Sequence, residues 1–142
     1  NYGSGSTYAR CYWGAVGSTS SHSVELTGTV PSDPGFVLYE LSGVNTSTRT
    51  DGEAGAVTTN STTFSSGNIT TTGATMMIGY TADSINSSAI TWGSGWIERA
   101  EDLSHIHGGA TNSQSSSGTF SANGTRPGTA TQVTVIVAMK GN

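Results

Sequence analysis

Residues 131–140 read TQVTVIVAMK. This dense run of β-branched and apolar residues follows the turn signal Pro127-Gly128 and is the clearest core strand in the chain. Residues 75–81 (TMMIGYT) repeat the character and predict a second core strand. Residues 36–41 (FVLYEL) are nearly all apolar, which predicts a central strand covered on both faces. Residues 8–16 (YARCYWGAV) alternate, with Tyr8, Arg10 and Tyr12 on one face and Ala9, Cys11, Trp13 and Ala15 on the other. Residues 23–29 (SVELTGT) set Val24 and Leu26 against Glu25 and Thr27, the pattern of a half-buried strand.

Shorter pieces fill the rest. Residues 62–65 suit an edge, followed by a hairpin turn at Gly67-Asn68. Residues 90–100 (ITWGSGWIERA) give two strand pieces around Gly93-Ser94-Gly95, residues 103–107 (LSHIH) alternate, and residues 118–122 (GTFSA) are short. Residues 1–6 read as an exposed lead-in. Residues 17–21, 42–60, 83–88, 108–117 and 123–129 read as loops or turns, as does Pro31-Ser32-Asp33-Pro34-Gly35. Strands recur with turn chemistry between them, and no segment keeps a helical period. The expectation is an all-β, single antiparallel β-sandwich over residues 1–142, jelly-roll-like, with about eight strands.

Composition agrees. Ser, Thr, Gly and Asn make up just over half of the 142 residues. Ser and Asn compete with helix hydrogen bonds, Gly has a high entropy cost in a helix, and Thr favours strands. Three Trp, five Tyr and three Phe argue against disorder, although 33% apolar content makes a thin core. Charged residues are 10% of the chain, against about 25% in an average soluble domain. Arg10, Arg49, Arg99, Arg126 and Lys140 are scattered in a chain of net charge −4, which disfavours nucleic acid. No apolar run is long enough to span a bilayer. Cys11 is alone, so no intrachain disulfide forms. A bridge-free chain this polar suits a bacterial, archaeal or phage exterior. The absence of a starting Met suits a cleaved leader or a fragment.

Four segments taken in order, YARCYWGAV (8–16), VLYELSGV (37–44), GWIERAE (95–101) and VTVIVAMK (133–140), resemble a widespread β-sandwich module of bacterial exoproteins and phage-associated proteins. The similarity spans nearly the whole chain. It implies a sandwich without catalytic residues. Modules of this kind usually begin with about two further strands, and a sandwich lacking them exposes an edge that a neighbouring subunit can fill.

Candidate chemistry is sparse. His105 and His107 share a strand face and can meet one metal ion, with Glu101 or Asp102 as a third ligand; the plainer reading is two polar side chains on an edge. His22 reads as a turn residue. Asp51 and Glu53 around Gly52 can offer oxygens to calcium, or simply form a solvated turn. A glycosidase needs paired carboxyls, and only Glu40, Glu98 and Glu101 lie near aromatic strands. Glu40, inside an apolar run, better suits a partly buried ion pair with Arg10 or Arg99. No Gly-x-Ser-x-Gly elbow marks a nucleophile, and mid-strand Cys11 reads as a small buried hydrophobe.

Tyr2, Tyr8, Tyr12, Trp13, Trp92 and Trp96 can offer stacking surfaces to sugars. Tyr12 and Trp92 are the candidates, with Trp13 and Trp96 read as core. Asn45, Asn60, Asn68, Asn86 and Asn123 open N-x-Ser/Thr glycosylation sequons, against about two or three expected by chance. The expectation is a non-enzymatic structural subunit or surface module of an extracellular filament, appendage or virion exterior. It would need no cofactor and would act as a homo-oligomer or polymer joined through sheet edges. A carbohydrate-binding or adhesion domain contacting surface glycans is the alternative, and a glycoside hydrolase comes third.

Overall fold

The computed structural model describes residues 2–4, 7–14, 23–25, 27, 35–84, 89–102 and 107–142. The chain is all-β over these residues. Its strands are β1 (Tyr2–Ser4), β2 (Thr7–Ala9), β3 (Thr50–Ser65), β4 (Ile69–Thr71), β5 (Thr75–Asp83), β6 (Thr91–Trp92), β7 (Ile97–Asp102), β8 (His107–Gln114), β9 (Gly118–Phe120) and β10 (Asn123–Lys140). Five of these have only two or three residues, which accounts for the excess over the eight expected. Among the described residues no helix is long and apolar enough to cross a membrane.

The main sheet runs β3-β10-β5-β8-β7 with every neighbour antiparallel, and β6 pairs with the start of β10. The strand expected at residues 131–140 is therefore central. All residues from Gln132 to Met139 are buried, because β10 is flanked by strands and covered on both faces. Alternation sorts its side chains. Ile136 and Ala138 join Met77 on one face, under Ile69, Phe120, Ala122, Trp92 and Trp96 from the small β4-β9 sheet and its surroundings. Val133 and Val135 lie on the other face with Val57 and Tyr80, under Ala9 of the β1-β2 hairpin.

Glycines let bulky groups lie directly on the sheet. A Cβ on Gly79 would stand 2.9 Å from Trp96, 3.0 Å from Ala122 and 3.1 Å from Trp92. On the opposite face, a Cβ on Gly109 would run into the Tyr39 hydroxyl and meet Val37 at 3.2 Å.

Several expectations need correction. Residues 36–41 form no strand ladder. Val37 and Tyr39 turn inward onto β8, while Phe36 and Leu38 remain 65% and 66% exposed. This segment caps the sheet face and is not a central strand. Residues 42–60 are not all loop, because β3 starts at Thr50, and the supposed Asp51-Gly52 turn lies inside it. Residues 108–117 are mostly β8, and residues 123–129 belong to β10. The Pro127-Gly128 signal survives as an irregularity, where the register jumps from Thr125↔Thr63 to Ala130↔Ser61. The lead-in supplies β1, and the 8–16 strand is cut to its first residues, since residues 10–14 are not strand. Gly67-Asn68 is a corner between two sheets and not a hairpin turn, as β3 and β4 do not pair. Residues 17–21, 31–34, 85–88 and 103–106 lie outside the described residues, as do 15, 16, 26 and 28–30.

Candidate functional site

The two ends of the main strand path differ sharply in chemistry. At one end, β7 reads IERAED, so four of its six residues are charged. It carries a register irregularity between Glu98 and Ala100, and Arg99 Nε donates to Thr111 Oγ1 at 2.8 Å. Charges and a bulge are the usual protections of an exposed edge. Burial, with the charge of Glu101 beside it, pushes the Glu98 carboxyl up.

At the other end, β3 reads TDGEAGAVTTNSTTFS over 16 residues. Asp51 and Glu53 stand near its start, and it holds no Lys, Arg or Pro. One side of β3 pairs with β10; among the described residues no strand pairs with the other side. Its small residues sit beside the core of β10, with Ala54 opposite Ile136, Gly55 opposite Val135 and Ala56 opposite Thr134. Thr58, Thr59, Thr62 and Thr63 continue it with β-branched side chains. The irregularity at Asn60, whose φ is 48°, is held by the buried Gln132, which donates to the Ser61 carbonyl at 3.0 Å.

The anchor of β3 is Asp51. Its carboxylate accepts from the Thr72 amide at 2.6 Å and the Thr72 hydroxyl at 2.7 Å, and Lys140 Nζ lies 3.9 Å away. Burial works to raise this carboxyl. The Thr72 bonds, with Lys140 and the Gly73 amide, outweigh it and hold the carboxyl below the usual aspartate range. Asp51 therefore ties β3 to the end of β4 and β10, and is engaged within the fold.

An open cleft of about 290 Å³ lies at the far end of the sheet, between Gly35–Val37, Ala100–Asp102 and His107. Glu101 accepts the Ile90 amide there. The His107 ring stacks on Tyr80 at 5.9 Å between centroids, with its Nδ1 2.7 Å from the Tyr80 hydroxyl. Burial pushes the Tyr80 phenol far up, so it keeps its proton. That single proton either goes to Nδ1, or goes to the Gly35 carbonyl at 3.4 Å while Nδ1–H donates to the hydroxyl. His105 lies outside the described residues, and among those described no cluster of three or more His, Cys, Asp or Glu is placed to hold a metal.

The sugar-stacking candidates are not brought together. Trp92 packs edge-on against Phe64 at 5.2 Å and beside Trp96 at 5.7 Å, on the sheet face opposite the β1-β2 hairpin. Trp96 is packed against the core as expected, with Nε1 donating to the Ser121 carbonyl. Tyr12 is 79% exposed beside Arg10. Trp13 is half-exposed under the Arg49 guanidinium, not in the core, and Cys11 is exposed, not buried. Glu40 is exposed as well, with its expected partners engaged elsewhere.

Of the sequon asparagines, Asn60, Asn68 and Asn123 are exposed. Asn45 accepts from Ser47 and Thr48 in a local turn, and Asn123 donates to Ser121. Asn86 and His22 lie outside the described residues.

The reading of the sequence missed the ion pair between Arg126 and Asp83, whose side chains are each only 3% exposed. It closes the irregular stretch of β10 against the end of β5. Nothing in the spacing of these two residues, 43 apart, signals the contact.

Comparison of the chain with protein-family models, with curated proteins and with solved structures gave no match.

Proposed function

We propose that this protein is a non-enzymatic structural subunit or surface module that assembles through a sheet edge, on the exterior of a cell, appendage or virion. The observation that supports the reading is the contrast between its two edges. β7 carries the charges and bulge that discourage strand addition, whereas β3 is long, uncharged beyond Glu53 and free of Pro. An edge of that kind, with which no further strand pairs among the described residues, is a template for another strand. The low charge content and the Ser/Thr-rich strands suit an exterior, assembled setting. The resemblance to exoprotein and phage-associated sandwiches points the same way.

The test is sedimentation velocity with electron microscopy on native material. Assemblies that dissociate when β3 is altered support the reading; a chain that stays monomeric at high concentration removes it. A glycan-binding surface is the second reading, favoured by the exposure of Tyr8 and Tyr12 on the hairpin side. It predicts glycan binding that Tyr12→Ala weakens at least several-fold.

A further inference from the structure

The β3 edge is complementary to itself. Laid antiparallel about a two-fold axis perpendicular to the sheet, two copies of β3 place each residue opposite one of the same face. Ala54, Ala56 and Thr58 of both copies then stay on the Ile136 side, and Gly55 and Val57 on the Val135 side. The acidic residues lie at one end of the strand, so antiparallel pairing carries Asp51 and Glu53 of the two copies apart. It sets them against the neutral Thr- and Ser-rich half of the other copy.

The other edge pairings fare worse. Parallel pairing of two β3 strands in register would set Glu53 on Glu53, a like-charge opposition that destabilises a ladder. Pairing β3 with β7 would bring Glu98, Glu101 and Asp102 against a strand that already holds two acids and no cation. It would also have to accommodate the Glu98/Ala100 irregularity.

We infer that β3 pairs antiparallel with β3 of a second copy of this chain, which joins the two five-strand paths into one continuous sheet. The inference rests on the proposed assembly through sheet edges and names its partner and symmetry. The contact is isologous and therefore closes: the outer strands of the joined sheet are two charged β7 edges, so growth stops at the dimer along this direction. The asymmetry of the two edges thus acts as a limit on assembly as well as its driving contact.

The experiment combines mass with position on the intact chain. Sedimentation equilibrium is run from micromolar to millimolar protein. In a Cys11→Ser background, single cysteines are placed in turn at residues 53–59 and treated with a short bis-maleimide, each variant being checked for native circular dichroism. The expected result is twice the 14.4 kDa chain mass, with cross-linking that peaks at one position and falls on both sides of it. A dimer without cross-linking anywhere on β3 overturns the inference. Larger assemblies that cross-link only between Val57→Cys and Arg99→Cys, one residue on each edge, overturn it too but leave assembly through sheet edges standing. A chain that is monomeric at every concentration overturns both.

Discussion

Asp83 and Arg126 are both charged and both almost wholly buried, and the Arg126 guanidinium takes its countercharge from Asp83. Removing Asp83 leaves the Arg126 charge in the interior without its carboxylate, at a cost of about 3–5 kcal/mol. Asp83→Ala is expected to lose that much in denaturant unfolding. The double replacement Asp83→Leu/Arg126→Met is expected to lose less than Asp83→Ala, because the Arg126 charge is then no longer stranded. Asp51 makes a pH prediction. Its carboxyl is held below the usual 3.8, so the folded state binds its proton less readily than the unfolded chain. The stability it contributes is fully present above the unfolded value and is lost as pH falls through the lower folded one. Asp51→Asn should therefore lower stability at neutral pH and flatten the acid limb of a stability–pH curve. Neither pairing was legible in the sequence: Asp51 read as a solvated turn or a calcium oxygen donor, and Arg126 as a scattered cation. Charge at one position says nothing about which distant segment will bury it.

Strand by strand, legibility followed hydropathy. The runs at 75–81 and 131–140 carry enough β-branched and apolar atoms to demand burial wherever they pair, and both are central. β3 and β8 were largely read as loops because TDGEAGAV and HGGATNSQ consist of small or polar residues with little hydropathic contrast. They are strands because their neighbours template them and because their glycines leave room for what packs on them, Ile69 on Gly52 of β3, and Ile90 and Tyr39 on Gly108 and Gly109 of β8. Residues 36–41 failed in the opposite sense, with an apolar run that ended as a cap and left alternate side chains outside. The charged β7 yields a prediction about edges. Glu98→Thr/Arg99→Thr/Asp102→Thr removes three of its four charges and spares Glu101, which receives the Ile90 amide. This variant should form higher oligomers or aggregates in light scattering at concentrations where the parent does not.

The molecule as a whole is one main sheet with a cover on each face, and the two covers come from different parts of the chain. Residues 64–71, 90–96 and 120–122 supply one, and residues 2–4, 7–9 and 35–41 contribute to the other. Deleting residues 1–41 would uncover Val133 and Val135 while leaving every strand of the main path. At about 1.5–3 kcal/mol for each buried valine, the loss is comparable with the margin of about 5–15 kcal/mol that holds a domain together. That variant is expected to bind a hydrophobic dye strongly and to lose its sharp thermal transition. Composition and periodicity were enough to specify an all-β sandwich and two of its central strands, β5 and β10, since burial of an apolar run is a demand that the run itself makes. Which strands became edges, where the long strands break register and which charges went inside depended on backbone pairing between segments far apart in the chain. Backbone amides and carbonyls are nearly the same in every residue, so that pairing leaves little trace in the order of the side chains.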